Sequence, residues 1–424
     1  MDNPLSWYTP RTYLHFDRPT SEALAVPFVT NPEKIAKHAF YPFIGFDVNS
    51  KKRSYNAETK TLYIKYKVRP IAYASHLDSQ IYSYYSHILS GLYENKLTEF
   101  GLTKNVLAFR RLQKGNIEFA HDVFNEIRKF GDCHVVALDI RKFFDRIDHL
   151  RLKMVWGDLI EKERLPDDHF RVFESLTQHT KVNRTVLFKA FGIPLRNPKG
   201  HSMRDRICEA EDFRNRVRKA GLVERNPDAF GIPQGSPISA LLSNLYLLDF
   251  DKVMVNEISK VNGKYYRYCD DIFIIVPQEQ QQFIELAKLK LLEVKLEINT
   301  DKEDISRFRK VGSFFRCDKP IQYLGFIFNG NKILLRPAAL SKFSNRMRKA
   351  VWVAKASMEK INMARAKRGE RPRAIYLKKL YKNYSYVGKR NFISYGLRAA
   401  RIMNSKDIRN QLKPMWSRLQ KQIR

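Results

Sequence analysis

Two adjacent carboxylates, Asp270 and Asp271, stand between two runs of residues that are typical of β-strands. The runs cover residues 264–268 and 272–276, and both are rich in β-branched and aromatic side chains. The pattern predicts a tight hairpin with the two carboxylates at or near its tip. Carboxylates held side by side repel each other, and Mg²⁺ relieves the repulsion while keeping coordination positions for water and phosphates. The alternative interpretation is an ordinary solvated turn, in which Asp is common.

The composition indicates a large core and a polyanionic partner. A chain of 424 residues that is 44% hydrophobic can form two or three subdomains. Its net charge of +33 favours nucleic acid, before a membrane surface, as the partner. Residues 331–424 hold 26 Lys and Arg against three acids, a net charge of +23, so we expect this quarter to bind phosphates. The alternative is a basic surface that serves only solubility.

The cysteines and the hydropathy pattern bear on the cellular compartment. The chain has four cysteines without paired metal-ligand spacing, which indicates reduced thiols, neither a disulfide framework nor a zinc site. They are Cys133, Cys208, Cys269 and Cys317. The N-terminus carries no basic-then-apolar signal, and no apolar run approaches the length of a membrane span. We therefore expect a soluble, cytoplasmic protein with no membrane partner.

A third carboxylate follows another apolar run. Residues 134–138 predict a strand that ends at Asp139. A carboxylate at the end of a buried strand is held rigidly, as metal coordination requires. If this strand lies beside the predicted hairpin, Asp139 joins Asp270 and Asp271, and three carboxylates suffice for two Mg²⁺ ions about 3.5–4 Å apart. Taken alone, Asp139 is as consistent with a simple strand-end cap.

Between the acidic sites lies a segment rich in Gly and Pro. Residues 231–239 read Gly-Ile-Pro-Gln-Gly-Ser-Pro-Ile-Ser and precede an apolar helix. Glycines on both sides of a Pro-Gln pair let the backbone approach a ligand closely, and a helix start favours anionic groups. Just upstream, residues 194–226 combine Pro, Gly and many charges, which predicts a surface excursion between core elements.

The C-terminal quarter has a helical pattern. Beyond Pro337, apolar residues recur every three or four positions and predict one buried helix face. They are Leu340, Phe343, Met347, Val351, Ala354, Met358 and Ile361. Gly369 and Pro372 end this helix, and further helices are predicted to begin near Ala374 and Asp407.

In chain order, these elements resemble the motifs of the reverse transcriptase family, with a palm similar to those of group II intron and retron enzymes. The resemblance runs over most of the chain. Six segments carry it: residues 67–71 in the fingers, 139–145 as motif A, 231–239 as motif B, 268–271 as the Tyr-x-Asp-Asp box of motif C, 296–302 as motif D and 323–326 as motif E.

The resemblance implies an α+β fold of the right-hand polymerase type. Residues 1–130 would form the N-terminal segment and the fingers. Residues 131–335 would form the palm, an antiparallel sheet covered by helices, with 194–226 as a polar insertion. Residues 336–424 would form a basic helical thumb that binds RNA and DNA.

The resemblance also implies roles for individual residues. Asp139, Asp270 and Asp271 would be catalytic, and together with the Ile140 carbonyl they would bind two Mg²⁺ ions, with Mn²⁺ as an alternative. Deoxynucleotide triphosphates would be bound by Lys65, Lys67, Arg69, Phe144, Gln234 and Lys302. Template and primer would contact Gly235, Ser236, Tyr323, Leu324, Gly325, Arg346, Lys349, Lys389 and Arg390. A triphosphate needs cations, and the charge of its transition state is best stabilised by groups already fixed in place.

Phe144, five residues past Asp139, predicts which nucleotide is used. RNA-copying RNA polymerases usually place an Asp at this position, where it can hydrogen-bond to a ribose 2′-hydroxyl. A phenyl ring offers no such partner and occupies the space that the hydroxyl needs, so we expect deoxynucleotides. The alternative is that Phe144 packs in the core, a purpose that Phe143 could serve instead.

The C-terminal sequence indicates which group of reverse transcriptases the chain resembles. It shows no RNase H-like tract, no His/Cys endonuclease pattern and no Val-Thr-Gly retron motif. Residues 384–392, Tyr395 and Arg398 resemble the thumb of bacterial defence-associated reverse transcriptases, most of all type 2. That resemblance implies an enzyme that binds a structured non-coding RNA and copies it into DNA during phage infection.

Two other functions remain open. Protein-primed, untemplated DNA synthesis of the abortive-infection type needs a priming hydroxyl, which one of the 21 tyrosines could supply. The second is the function of a nucleic-acid chaperone or intron-splicing factor, in which the polymerase site would be vestigial. The three retained carboxylates argue against an idle site.

Overall fold

The computed structural model describes residues 6–56, 59, 61–198, 204–277 and 280–424, which form a mixed structure of helices and sheets. The strands are β1 (Phe43–Asn56), β2 (Thr61–Tyr73), β3 (Cys133–Asp139), β4 (Thr180–Asn183), β5 (Val223–Arg225), β6 (Lys264–Tyr268), β7 (Asp271–Val276), β8 (Asp304–Val311), β9 (Phe314–Cys317), β10 (Ile321–Tyr323), β11 (Phe326–Phe328) and β12 (Ile333–Leu335). The helices are α1 (Glu22–Val29), α2 (Pro32–Ala36), α3 (His76–Glu99), α4 (Asn116–Phe130), α5 (Phe143–Arg146), α6 (His149–Leu159), α7 (Asp167–Thr177), α8 (Arg184–Ala190), α9 (Ala210–Asp212), α10 (Ser239–Tyr246), α11 (Leu248–Ser259), α12 (Gln281–Glu293), α13 (Pro337–Ala366), α14 (Leu377–Tyr384), α15 (Phe392–Ile402), α16 (Lys406–Leu412) and α17 (Pro414–Ile423).

A five-stranded antiparallel sheet, in the order β6-β7-β3-β8-β9, separates two hydrophobic cores. The side chains of β7 alternate between them. Ile272, Ile274 and Val276 pack into one core, whereas Phe273 and Ile275 pack into the other. Successive side chains of a strand point to opposite faces, so the apolar run from Ile272 to Val276 must be covered on both sides.

Different helices cover the two faces of this sheet. Helices α3, α6, α10, α11 and α12 contribute to the first core. The second core is formed by α4 together with the C-terminal strands and helices. Helix α4 buries Ala120, Phe124 and Ile127 in this second core.

Strands β1 and β2 form a long antiparallel ribbon, which pairs from Ile44 with Tyr73 to Asn56 with Thr61. At its base, β1 pairs in parallel with β4, within a sheet of order β2-β1-β4-β5. Farther along the ribbon, apolar side chains such as Leu62 and Tyr66 are exposed. The ribbon thus extends beyond the sheet to which its base belongs.

The segment 194–226, predicted as a surface excursion, is only partly one. Ile207, Cys208, Phe213 and Val217 are buried in a third, smaller core that also contains residues of the N-terminal segment and of β1. The prediction was wrong for these positions. It rested on the many charged residues of the segment, but apolar residues stand among them at intervals of a few positions and are buried. Residues 199–203 lie outside the described ranges.

The C-terminal quarter is helical, as predicted, but with five helices instead of three. Helix α13 ends at Ala366, just before Gly369, and buries Phe343, Met347 and Val351. The predicted apolar face fails toward the end of the helix, where Ile361 is exposed. Apolar residues continue there at helical spacing, but in the described part of the chain no neighbouring element covers that residue.

Candidate active site

The predicted hairpin is present, and Asp270 lies in its turn. Tyr268 at the end of β6 pairs with Asp271 at the start of β7, so Cys269 and Asp270 connect the strands. Cys269 has a φ of +58°, a backbone conformation that is uncommon for a residue with a side chain. The tight turn places two carboxylates at one end of the central sheet.

Asp139 reaches the same end of the sheet from the neighbouring strand. Strands β3 and β7 pair antiparallel in a register that sets Asp139 opposite Asp271. The pairing continues into the turn, because the Ile140 N–H donates a 2.9 Å hydrogen bond to the Asp270 carbonyl. The three predicted catalytic carboxylates and the predicted Ile140 carbonyl ligand are therefore on adjacent backbone segments.

The electrostatics of this cluster are unfavourable without a cation. Burial, followed by repulsion from Asp270 and Asp139, raises the pKa of Asp271 to about 7. Burial and the charge of Asp139 likewise raise the pKa of Asp270. Both shifts mean that the ionised forms of these carboxylates are destabilised, because the groups repel each other and are poorly hydrated.

Lys302 provides the positive charge that the structure brings to this cluster. Its ammonium group forms an ion pair with the Asp139 carboxylate, and Asn299 donates a hydrogen bond to the other oxygen at 3.4 Å. In the described ranges, no three His, Cys, Asp or Glu side chains are arranged as a ready metal-binding group. The Asp139 carboxylate is thus already neutralised in part by Lys302.

A further basic residue, Lys67, approaches the carboxylates from the ribbon, and Arg69 lies near it. Lys67 and Arg69 lie two positions apart on β2 and so share a face. Burial, with repulsion from Lys302 and Arg69, lowers the pKa of Lys67, whereas Asp139 and Asp270 act in the opposite direction. Lys67 thus lies within electrostatic reach of the site. The side chain of Lys65, also predicted here, lies outside the described part.

The Gly-Pro segment joins the ribbon to the site. The Gln234 carbonyl accepts a 2.8 Å hydrogen bond from the Ala72 N–H, and the Gln234 side chain donates one to Asp145 at 3.1 Å. Gly235 has a φ of +119°, and a Cβ there would stand 2.6 Å from the Ala72 carbonyl. Only glycine permits this approach, which explains the residue type at that position. The next residue, Ser236, is buried.

Phe144 and Phe143 have different environments. Phe143 is buried in the core, whereas Phe144 is only partly buried and packs beside it with ring centroids 5.7 Å apart. The Phe144 carbonyl accepts a hydrogen bond from the Ile232 N–H, which ties it to the Gly-Pro segment. Phe143 therefore serves core packing more than Phe144 does.

The remaining predicted residues lie in two other places. Tyr323 is buried with its ring 4.6 Å from that of Phe273, and Leu324 and Gly325 form the turn that follows it. Arg346 and Lys349 are exposed on α13, and Lys389 and Arg390 are exposed just before α15. The structure does not bring these four basic residues into the carboxylate cluster, and their contact with template or primer remains a prediction.

Sequence reasoning missed the polar groups beneath the turn. Arg267, Asp251 and Asn244 are completely buried and hydrogen-bonded to one another. The visible signal was an Arg inside a strand that is otherwise apolar or aromatic on its buried side. Its partners lie on α10 and α11, so sequence alone could not pair them.

Comparison with known families defines the class of this domain. Residues 187–328, a third of the chain, match the family described as reverse transcriptase (RNA-dependent DNA polymerase). The matched part includes the Gly-Pro segment and the hairpin with Asp270 and Asp271, and it begins after Asp139. Residues 187–328 therefore match a reverse transcriptase domain.

Several solved telomerases are similar at low identity. Apo telomerase from Candida tropicalis is 10% identical, with a TM-score of 0.41, over 95% of this chain and 65% of that chain. The same telomerase truncated from its C-terminal domain is 12% identical, with a TM-score of 0.37, over 74% and 59%. Telomerase from Candida albicans in complex with the TWJ fragment of telomeric RNA is 10% identical, with a TM-score of 0.40, over 93% and 59%.

The chain spans between 59% and 65% of the length of those structures. No curated protein matches the sequence. Among the described residues, no helix combines the length and the apolar character that crossing a membrane requires.

Proposed function

We propose that this protein is a bacterial, cytoplasmic reverse transcriptase that copies an associated structured non-coding RNA into DNA as part of antiphage defence. The observation that supports it best is the register of the central sheet, which sets Asp139 opposite Asp271 and bonds Ile140 to Asp270. Residues 1–130, 131–335 and 336–424 would serve as fingers, palm and thumb.

The residues at the sheet end fit divalent metal ions. Asp139, Asp270, Asp271 and the Ile140 carbonyl offer the hard oxygen ligands that Mg²⁺ and Mn²⁺ prefer. Burial and mutual repulsion raise the pKa values of Asp270 and Asp271, so a bound cation would stabilise their ionised forms. When bound, two such ions would stabilise the charge that develops on the attacking and leaving oxygens of phosphoryl transfer.

The protein's own cations would bind the nucleotide. Lys67 and Arg69 on the ribbon face the same region as Lys302, so the three positive charges can receive a triphosphate. Lys302 would leave Asp139 as the nucleotide enters and would then hold a proton close to the departing pyrophosphate. Gln234, held by Asp145 and by the Ala72 N–H, would line the pocket.

A double substitution tests whether the carboxylates perform catalysis. Asp270→Ala with Asp271→Ala should abolish deoxynucleotide incorporation on an RNA template, because the metal ligands are removed, while RNA binding stays within about twofold, since phosphate contacts dominate affinity. The matched control is Glu211→Ala with Asp212→Ala, which removes an adjacent acidic pair in the 194–226 segment. DNA synthesis that survives the first change would refute the proposal in favour of a chaperone or splicing role.

Sequencing the nucleic acid that copurifies with the protein tests the template. A discrete RNA together with its complementary DNA is the expected result. Random-sequence DNA joined to the protein would instead support protein-primed, untemplated synthesis.

For the defence role, cells that express the unaltered protein should resist phage plating, and cells with the Asp270→Ala, Asp271→Ala protein should not.

A further inference from the structure

A fully buried ion pair lies directly beneath the turn that carries Asp270. The Arg267 and Asp251 side chains are both 0% exposed. Arg267 donates two parallel hydrogen bonds to the Asp251 carboxylate, from Nε at 2.7 Å and from Nη2 at 2.5 Å. Tyr265, two residues away on β6, donates a third at 2.6 Å. The Asp251 carboxylate is thus held by three charge-assisted or hydroxyl donors.

The remaining donor of Arg267 points into the turn. Its Nη1 donates to the Cys269 carbonyl at 3.1 Å and to the Asn244 side-chain oxygen at 3.1 Å. Cys269 is the residue with positive φ, and its carbonyl belongs to the peptide that leads into Asp270. The guanidinium therefore fixes the peptide plane immediately before a predicted metal ligand.

The same network is braced by two other segments. Asn244 on α10 donates to the Ala108 carbonyl at 2.8 Å. The backbone of Arg267 exchanges hydrogen bonds with Asn105 and Leu107, each within 2.9 Å. Helices α10 and α11 and the loop after α3 are consequently held in a fixed relation to the turn.

Stability alone does not account for such an arrangement. Desolvating two charges is costly, and well-packed apolar residues in place of a buried ion pair often leave a protein equally stable or more so. What an apolar replacement cannot do is donate a hydrogen bond to the Cys269 carbonyl. The rigid, five-donor fork of Arg can bind a carboxylate with one edge and that carbonyl with another donor.

We propose that Arg267 is a positioning residue, which Asp251 orients and which sets the Cys269–Asp270 peptide so that the carboxylates converge on their metal ions. The inference deepens the proposed function and rests on it. Arg267 itself touches neither nucleotide nor metal; it acts through the backbone of the turn, as outer contacts do for metal ligands generally.

The test is an apolar replacement of the whole network. Asp251→Leu, Tyr265→Phe and Arg267→Met, combined in one protein, remove the charges together and leave none of them unpaired. We expect thermal unfolding close to that of the unaltered protein. Mn²⁺ affinity, measured by electron paramagnetic resonance without nucleotide or RNA, should fall about 10–100-fold. The kcat of DNA synthesis should fall about 100-fold, with a smaller change in the KM for deoxynucleotides.

The matched control is an Arg that also binds a carboxylate and a backbone carbonyl. Arg171 contacts Glu174 at 2.6 Å and the His38 carbonyl at 2.8 Å, between α7 and the segment before β1. Arg171→Met with Glu174→Leu should change neither Mn²⁺ affinity nor kcat. If the triple variant does not fold, Tyr265→Phe alone decides, because it removes one bond to Asp251 and should weaken Mn²⁺ binding to a smaller extent.

Two different failures can be told apart. Unchanged Mn²⁺ affinity in the folded triple variant, or in Tyr265→Phe where the triple variant is unfolded, overturns the positioning role whether or not the protein makes DNA. Absence of DNA synthesis by the unaltered protein, with Mn²⁺ binding that depends on Arg267, overturns the proposed function and leaves the positioning role standing.

Discussion

Phe144 and Phe143 are neighbours in the chain with separate tasks. Phe143 fills the core, and Phe144 stays partly exposed beside it, while its carbonyl is bonded to the segment that carries Gln234. The backbone of Phe144 is therefore held in place beside the Gly-Pro segment. The position therefore suits a steric check on the sugar of an incoming nucleotide.

Replacing Phe144 with Ala should relax the choice of sugar. Removal of the ring opens the space that a 2′-hydroxyl needs, so discrimination against ribonucleotides should fall about 10–200-fold, the range for a contact in an apolar pocket. Single-nucleotide incorporation with matched deoxy and ribo substrates measures the ratio of kcat/KM values. Phe144→Tyr keeps the ring and should keep the discrimination. An active Phe144→Ala protein with unaltered discrimination would assign Phe144 to packing.

The sequence predicted the carboxylates better than the groups that hold them. Asp270 and Asp271 could be located because their signal is local, two acids between two runs rich in aromatic and β-branched residues. Arg267 stands in the same stretch, on β6, yet its role depends on Asp251, which lies 16 residues away on helix α11. Burial and pairing across elements are set by the packing, so no local pattern reveals them.

At the scale of whole elements, helix α3 shows how composition misleads. Polar residues are frequent along this helix, yet His76, Asp78 and Gln80 are buried. The side chains of Asp78 and Gln80 find partners in distant segments, since Asp78 accepts from the Tyr41 N–H and Gln80 donates to the Thr9 carbonyl. A polar pattern predicts exposure only when the rest of the fold offers no such partners.

Helix α13 shows the converse, an apolar side chain left in solvent. Trp352 is 68% exposed, and it is the most exposed of the four tryptophans, all of which lie in the described part. Arg348, Lys349 and Lys355 are three or four positions away and so lie on the same side of the helix. An aromatic ring among cations is the usual arrangement for stacking an unpaired base while phosphates are neutralised.

Trp352→Ala should therefore weaken binding of single-stranded RNA. The loss of one stacked base corresponds to about 1–3 kcal/mol, or roughly 5–150-fold in Kd. Fluorescence anisotropy with the copurified RNA measures it, and quenching of the Trp352 emission on RNA binding is an independent readout. Phe314→Ala, which removes a ring that is 67% exposed on β9, is the matched control. Equal affinities of the two variants would exclude a stacking role for Trp352.

At the scale of the molecule, charge is distributed unevenly along the chain. The residues from 331 onward carry +23 of the total +33, and the described ion pairs that involve their three acids are few. Most of these cations are therefore available to phosphates. The carboxylate cluster, by contrast, lies at one end of the central sheet with local cations of its own. Chemistry and nucleic-acid affinity should consequently respond to different substitutions.

Substitution of four basic residues separates nucleic-acid affinity from chemistry. Changing Arg346, Lys349, Lys389 and Arg390 to Ala should weaken RNA binding and flatten its dependence on salt, because fewer counterions are released. The slope of log affinity against log salt concentration should fall by roughly 0.7–0.9 for each phosphate that the variant no longer neutralises. At saturating RNA, kcat should stay within about twofold, since phosphate contacts position the strand and take no part in the reaction.

The control changes Lys104, Lys153, Lys189 and Lys264 to Ala, which removes the same charge from exposed positions outside the C-terminal quarter. Equal slopes for the two variants would mean that total charge, and not its concentration in the C-terminal helices, governs binding.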